Sequence, residues 1–198
     1  MTSPKIPVTM TEVVIASPGG PEVLQPRSAP TPVPGGGELL VRVLAAGVNR
    51  PDVLQRKGLY PMPPDAAPTP GLEIAGEVVA MGAAVTGFAI GDPVFGLTNG
   101  GGYAEYCLLP AGQALPLPGN LTMRQAAAIP ETLWTVWANL FQMGRVKPGE
   151  AVLVHGGTSG IGSTALMLAP EIGLRALSTP SGPGKSGAAL RFGAPQAI

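Results

Sequence analysis

Val152-Leu153-Val154-His155-Gly156-Gly157-Thr158-Ser159-Gly160-Ile161-Gly162 decides how this 198-residue chain is read. The apolar run Ala151 to Val154 reads as a buried strand, a glycine-rich turn follows it, and a helical pattern follows the turn. Glycine supplies the backbone angles that such a tight turn needs, and the free N–H groups opening the next helix suit a pyrophosphate. With Gly157 first and Gly162 third, the spacing is that of G-x-G-x-x-G with Ser159 in the middle place. A serine there keeps the backbone donor and can add a hydroxyl to phosphate. Gly156, Gly157, Thr158, Ser159, Gly160, Ile161 and Gly162 are therefore the candidate cofactor-binding residues. The plain alternative is an ordinary glycine-rich turn between a strand and a helix.

Downstream, Leu174 to Leu177 reads as a second strand, a helix ends near Phe192, and Gln196-Ala197-Ile198 begins a third strand. That order, β-α-β-α, is the start of a parallel, doubly wound sheet, which normally pairs two such halves, so the fold's logic expects a truncated half-unit. Pro170 falls inside the first helix and is costly unless the helix ends or kinks there. Sites selective for NAD place a carboxylate just beyond the second strand, but no acidic residue follows Glu171. Ser178, Thr179, Ser181 and Lys185 stand there instead, with Arg191 beyond, and favour the 2′-phosphate of NADPH. Lys185 could equally be a solvated first-turn lysine. Pro180 and Ser181-Gly182-Pro183-Gly184 alter the loop that would meet that phosphate.

Upstream the character differs. Thr11 to Ile15, Glu38 to Ala46, two candidates between Ile74 and Val94, and Tyr103 to Leu109 are short strands separated by Gly/Pro turns, which suggests an all-β, barrel-like unit. Asn49-Arg50-Pro51-Asp52 looks like a helix start that ends near Gly58, and Leu59 to Gly71 holds too many prolines for a helix or inner strand. Two helix-like runs interrupted at Pro130 lie between Thr122 and Met143. The expected organisation is a β-barrel domain over residues 1–125 and the first part of a dinucleotide-binding domain over 126–198.

Composition narrows the function. Twelve basic and twelve acidic residues cancel without long blocks of either sign, which argues against nucleic acid or an anionic membrane as partner. No apolar run approaches spanning length and no secretory leader opens the chain, so a soluble, cytoplasmic protein is expected. With one cysteine, Cys107, and one histidine, His155, no internal disulfide can form and no four-ligand Cys/His zinc site can be built. A three-ligand metal site would have to lean on carboxylates. Cys107, Trp134 and Trp137 read as core, and His155 as a packed residue with one hydrogen bond.

Four segments, Gly47 to Arg56, Gly71 to Val79, Gly101 to Tyr106 and His155 to Gly162, together resemble the NADPH quinone oxidoreductases of the medium-chain dehydrogenase/reductase superfamily, nearest the subgroup named for the p53-inducible enzyme. The resemblance spans the chain from about Met10 onward. It implies a GroES-like β-barrel catalytic domain followed by a Rossmann domain, with the nicotinamide in the cleft between them and no zinc. In zinc-dependent relatives the positions of Asn49 and Leu72 are ligands; here neither can serve. A quinone is electrophilic enough to accept electrons from NADPH with positioning and hydrogen bonds alone. The resemblance further implies that Asn49, Asp52 and Tyr60 line the substrate side, with Asn49 and Tyr60 donating to a quinone oxygen, and that Thr135 contacts the nicotinamide end. The plain alternatives are that Asn49 and Asp52 only cap a helix and that Tyr60 packs under the proline loop. Full-length relatives are expected to dimerise.

Two rival readings remain. The glycine loop also resembles that of short-chain dehydrogenases, which carry it at the N-terminus and need a Tyr-x-x-x-Lys pair that is missing here. Alternatively, an incomplete sheet makes a catalytically incompetent fragment that is weak or inactive alone.

Overall fold

The computed structural model describes residues 5–179, 181–194 and 196–197 and divides into two compact units, Met1–Glu131 and Thr132–Ile198. The first is built on an antiparallel hairpin, β1 (Thr9–Ile15) with β2 (Leu24–Pro30), and on a five-stranded antiparallel sheet. That sheet takes β3 (Glu38–Ala46), β4 (Glu73–Met81), β5 (Pro93–Leu97), β6 (Tyr106–Pro110) and β7 (Ala114–Pro116) in the order β6-β3-β4-β5-β7.

The β-branched and leucine-rich runs of β3 and β4 explain its core. Leu39, Val41, Ile74, Val78, Val94 and Leu109 are fully buried against one another, each contributing roughly 1.5–3 kcal/mol relative to exposure. Register shifts between Leu40 and Val41 and between Val43 and Ala45 bend β3 against β4, as bulges do, and curl the sheet. The hairpin is tied to the segment before β6, where Val13 N donates to Tyr103 O and Glu105 N to Thr11 O. Between β3 and β4 lie α1 (Arg50–Arg56) and the proline loop, which forms no helix or strand. After β7 come α2 (Met123–Ala126) and α3 (Pro130–Trp137), the two runs separated at Pro130.

In the second unit, α3 runs into a π-helical turn over Ala138–Met143. A three-stranded parallel sheet follows, β8 (Ala151–His155), β9 (Arg175–Thr179) and β10 (Gln196–Ala197), in the order β10-β9-β8. Its connecting helices are α4 (Gly160–Glu171) and α5 (Pro183–Arg191). Leu166 and Ala169 of α4, Ala176 of β9 and Ala189 of α5 form a small core with Val152 and Val154 packed on it.

Several expectations need correction. The strand β8 is not buried: Val152 and Val154 face the helices, while Leu153, one residue out of phase, is 52% exposed. His155 shares Leu153's parity and is exposed as well; its Nδ1 lies 2.8 Å from Thr179 Oγ1, so the single hydrogen bond is present but the packing is not. Trp137 is 50% exposed, its ring tilted against Phe141 with centroids 4.6 Å apart, rather than in the core. Pro170 sits one residue before the end of α4, where few helical bonds remain to be lost. Pro180 and Ile198 lie outside the described residues.

Candidate functional site

In the first unit, Asp52 is the point where three loops meet. It is the third residue of α1, and Pro51 ahead of it fixes the helix entry without sacrificing a bonded N–H. Asp52 Oδ2 accepts from the backbone N of Asn49 at 2.7 Å and from the Tyr103 hydroxyl at 3.0 Å. Its Oδ1 accepts from Gly71 N at 3.1 Å. The carboxylate is 95% buried yet supplied with three donors, which is what makes an ionised group tolerable there.

Asn49 turns its side chain the other way, and Nδ2 donates to Glu73 Oε1 at 2.7 Å. Glu73 Oε2 accepts from Glu131 N at 2.9 Å, at the start of α3. Burial, and then the like charge of Asp52, push the Glu73 carboxyl above its ordinary value against the pull of those two hydrogen bonds. Glu131 is raised by burial and by the charges of Glu73 and Asp52. The Tyr103 hydroxyl is raised by burial and by Asp52, the acceptor of its proton, so it stays a neutral donor. Among the described residues no group of three or more His, Cys, Asp or Glu is arranged to hold a metal ion.

Asn49 and Asp52 thus do cap α1, and they also belong to a buried polar network, so the capping alternative and the site reading describe the same atoms. Tyr60 lies in the proline loop, 37% exposed, and among the described residues no hydrogen bond joins it to Asn49, Asp52 or Glu73. Glu73 and Tyr103 were not among the residues expected from sequence. A glutamate opening the otherwise apolar strand Glu73-Ile74-Ala75-Gly76 was the available signal for the first; nothing local marks the second.

In the second unit the elbow after β8 is formed as its spacing requires. Gly156 has φ +66°, where a side chain is strained. A Cβ on Gly162 would lie 2.6 Å from Gly157 Cα, so this glycine lets the start of α4 press against the turn. Ser159 caps α4, its Oγ accepting from Gly162 N at 3.0 Å. Its oxygen therefore caps the helix, and its O–H proton is not used by that bond. Among the described residues the amides of Gly160 and Ile161 have no protein acceptor, leaving two donors at a helix N-terminus.

Thr132, also unforeseen, stands beside this elbow: Thr164 Oγ1 donates to Thr132 Oγ1 at 3.0 Å, and a Cβ on Gly160 would be 3.3 Å from Thr132 Cγ2. Thr135 lies one turn further along α3, and its carbonyl accepts from Asn139 Nδ2 at 2.8 Å. Ser181 and Lys185 come together, Nζ donating to Oγ at 3.1 Å, both exposed at the start of α5. Ser178 does not join them. It shares the inward parity of Ala176, is fully buried, and packs directly beneath Gly157, so no ribose phosphate can reach it. Free backbone donors, a glycine cradle and an exposed lysine–serine pair fit a phosphorylated dinucleotide.

Comparison with known proteins agrees with this architecture. Residues 35–119 match the alcohol dehydrogenase GroES-like domain. Over 163 residues the chain is 41% identical to the quinone oxidoreductase of Sus scrofa, covering 81% of this chain and 50% of that protein. It is 40% identical over 145 residues to the synaptic vesicle membrane protein VAT-1 homolog of Rattus norvegicus, covering 73% and 36%. Among solved structures, a Pseudomonas syringae quinone oxidoreductase superposes with a TM-score of 0.81 at 36% identity, covering 96% of this chain and 58% of that one. A mycobacterial protein complexed with NADPH superposes with a TM-score of 0.80 at 33% identity, covering 96% and 57%. The chain spans about half the length of the curated quinone oxidoreductases it matches.

Proposed function

Because the chain belongs with the quinone oxidoreductases of the medium-chain dehydrogenase/reductase superfamily, we propose that it carries the carbonyl-binding residues and the pyrophosphate elbow of an NADPH-dependent oxidoreductase that reduces quinones or similarly electrophilic carbonyl compounds. The observation that carries the reading is the elbow from Gly156 to Gly162, with two unclaimed amides at the N-terminus of a 12-residue helix. Those amides would bond the pyrophosphate, and Lys185 with Ser181 would bond the 2′-phosphate. Thr135 is assigned to the nicotinamide end. Bound NADPH supplies the electron pair as hydride.

The chain's own residues bind and orient the acceptor. Asn49 keeps one Nδ2 hydrogen beyond the one given to Glu73, and Tyr60 has a hydroxyl; both are assigned as donors to a carbonyl oxygen that gains negative charge on reduction. Asp52 holds Asn49, Gly71 and Tyr103 in place around that donor. No zinc is assigned: Asn49 and Leu72 are not ligands, and the oxygens of Asp52 and Glu73 already accept from protein donors. The GroES-like region ahead of the loop argues against the short-chain alternative.

The test is direct. Tryptophan fluorescence should report NADPH binding to the chain, and addition of a quinone should consume NADPH faster than the uncatalysed reaction. Binding without turnover would assign the competent site to a longer protein, whereas no binding would remove the reading.

A further inference from the structure

Glu73 opens β4 as a carboxylate with 2% of its surface exposed, and each oxygen meets a donor from a different element. Room for it is specific. A Cβ on Gly47 would collide with Glu73 Oε1 and lie 2.7 Å from the Ala127 carbonyl. The partner, the Asn49 carboxamide, has a donor end and an acceptor end of nearly the same size. An ionised carboxylate only accepts, so it demands the donor end.

We propose that Glu73 is a positioning residue whose carboxylate dictates which end of the Asn49 carboxamide is turned to a bound carbonyl compound. The inference rests on the quinone reading above and deepens it. With Glu73 ionised, Nδ2 is anchored and its second hydrogen is aimed by the first. Protonated on Oε1, Glu73 becomes a donor, and the amide turns over to offer it Oδ1, giving up the Asp52 N–H that the Asn49 side chain accepts in the capping box.

The surroundings set when this happens. Asp52 on α1 and Glu131 on α3 add like charge, and the neutral Tyr103 hydroxyl donates to Asp52. Arg42 of β3 is paired with Glu77, β5 has no ionisable side chain, and Arg124 of α2 is exposed. Burial and the charge of Asp52 therefore move the protonation of Glu73 upward from 4.5.

Nuclear magnetic resonance of the full chain can follow the Asn49 side-chain amide, assigned by its loss in Asn49→Ser, through a pH titration with naphthoquinone as the binding probe. The amide is expected to shift with a midpoint above 4.5, and the shift is expected to vanish in Glu73→Gln. A glutamine presents an N–H to one of its two donors whichever way it is turned, so naphthoquinone affinity should fall by about tenfold. The pair Glu73→Gln with Asn49→Asp reverses donor and acceptor. It should recover stability lost in Glu73→Gln without recovering naphthoquinone affinity, which mere packing would not do. An Asn49 amide indifferent to Glu73, or a folded Glu73→Gln variant that binds naphthoquinone as tightly as the parent chain, overturns the proposal. If the parent chain shows the titration but binds no naphthoquinone, the quinone reading falls and the coupling of Glu73 to Asn49 stands.

Discussion

Gly162 and Gly157 meet across the elbow with no space for a side chain between them, since a Cβ on Gly162 would stand 2.6 Å from Gly157 Cα. The closeness is what brings the start of α4 onto the end of β8.

Gly162→Ala should therefore push α4 away from the turn. Overpacking of this kind costs about 1–3 kcal/mol, and the displaced amides should lose most NADPH binding. Urea unfolding and NADPH titration of the variant check both effects; unchanged affinity would mean that the elbow is not the phosphate site.

Lys185→Ala tests the choice of cofactor. Removing the cation beside Ser181 should weaken NADPH by about tenfold and leave NADH nearly unaffected, because only NADPH carries the 2′-phosphate. The difference should shrink as salt is raised, since the pair is exposed. Equal losses for both cofactors would place Lys185 elsewhere in the binding.

Stability should depend on pH with two opposed arms. Glu73 and Glu131 are raised above 4.5 on folding, so the folded chain holds protons that the unfolded chain releases, and stability falls as pH rises through their folded values. Glu12 behaves oppositely. Burial pushes it up, but the Thr69 hydroxyl and the Arg27 guanidinium together hold it below 4.5, so its contribution is lost as pH falls through its folded value. Urea midpoints across the pH range should show Glu73→Gln flattening the high-pH arm and Glu12→Gln the acid arm.

Cys107 should be chemically silent in the native chain. It is 3% exposed and burial pushes its thiol up to about 12, so almost no thiolate is present at neutral pH. Iodoacetamide should label it only after urea is added; rapid native labelling would contradict the burial.

The sequence was most readable where one physical rule dominated. β3 and α1 are found where apolar patterning, an asparagine and a following proline place them, since those signals are local. β7, three residues long and ending in proline, offers no such pattern. The two-residue alternation of strands separates Ser178 from Ser181: Ser178 lies within β9 and shares a face with the buried Ala176, which grouping both serines just beyond the second strand does not take into account. Leu153 misled for the reverse reason, because a short apolar run reveals nothing about which of its faces is covered. Glu73 reaches Asn49 across 24 positions and Glu131 across 58, and such a meeting is written only in the folded sheet.

Asp52 also carries a kinetic consequence. Its partner Tyr103 is 51 positions away along the chain, and Gly71 is 19 away. Closing those loops costs entropy before any bond is gained, and the β3–β6 register that joins Leu39 to Leu109 closes a longer one still, so Asp52 is expected to gain its donors together with that pairing. Loosening it by Asp52→Asn is therefore expected to slow refolding as well as to hasten unfolding, which stopped-flow urea kinetics would read.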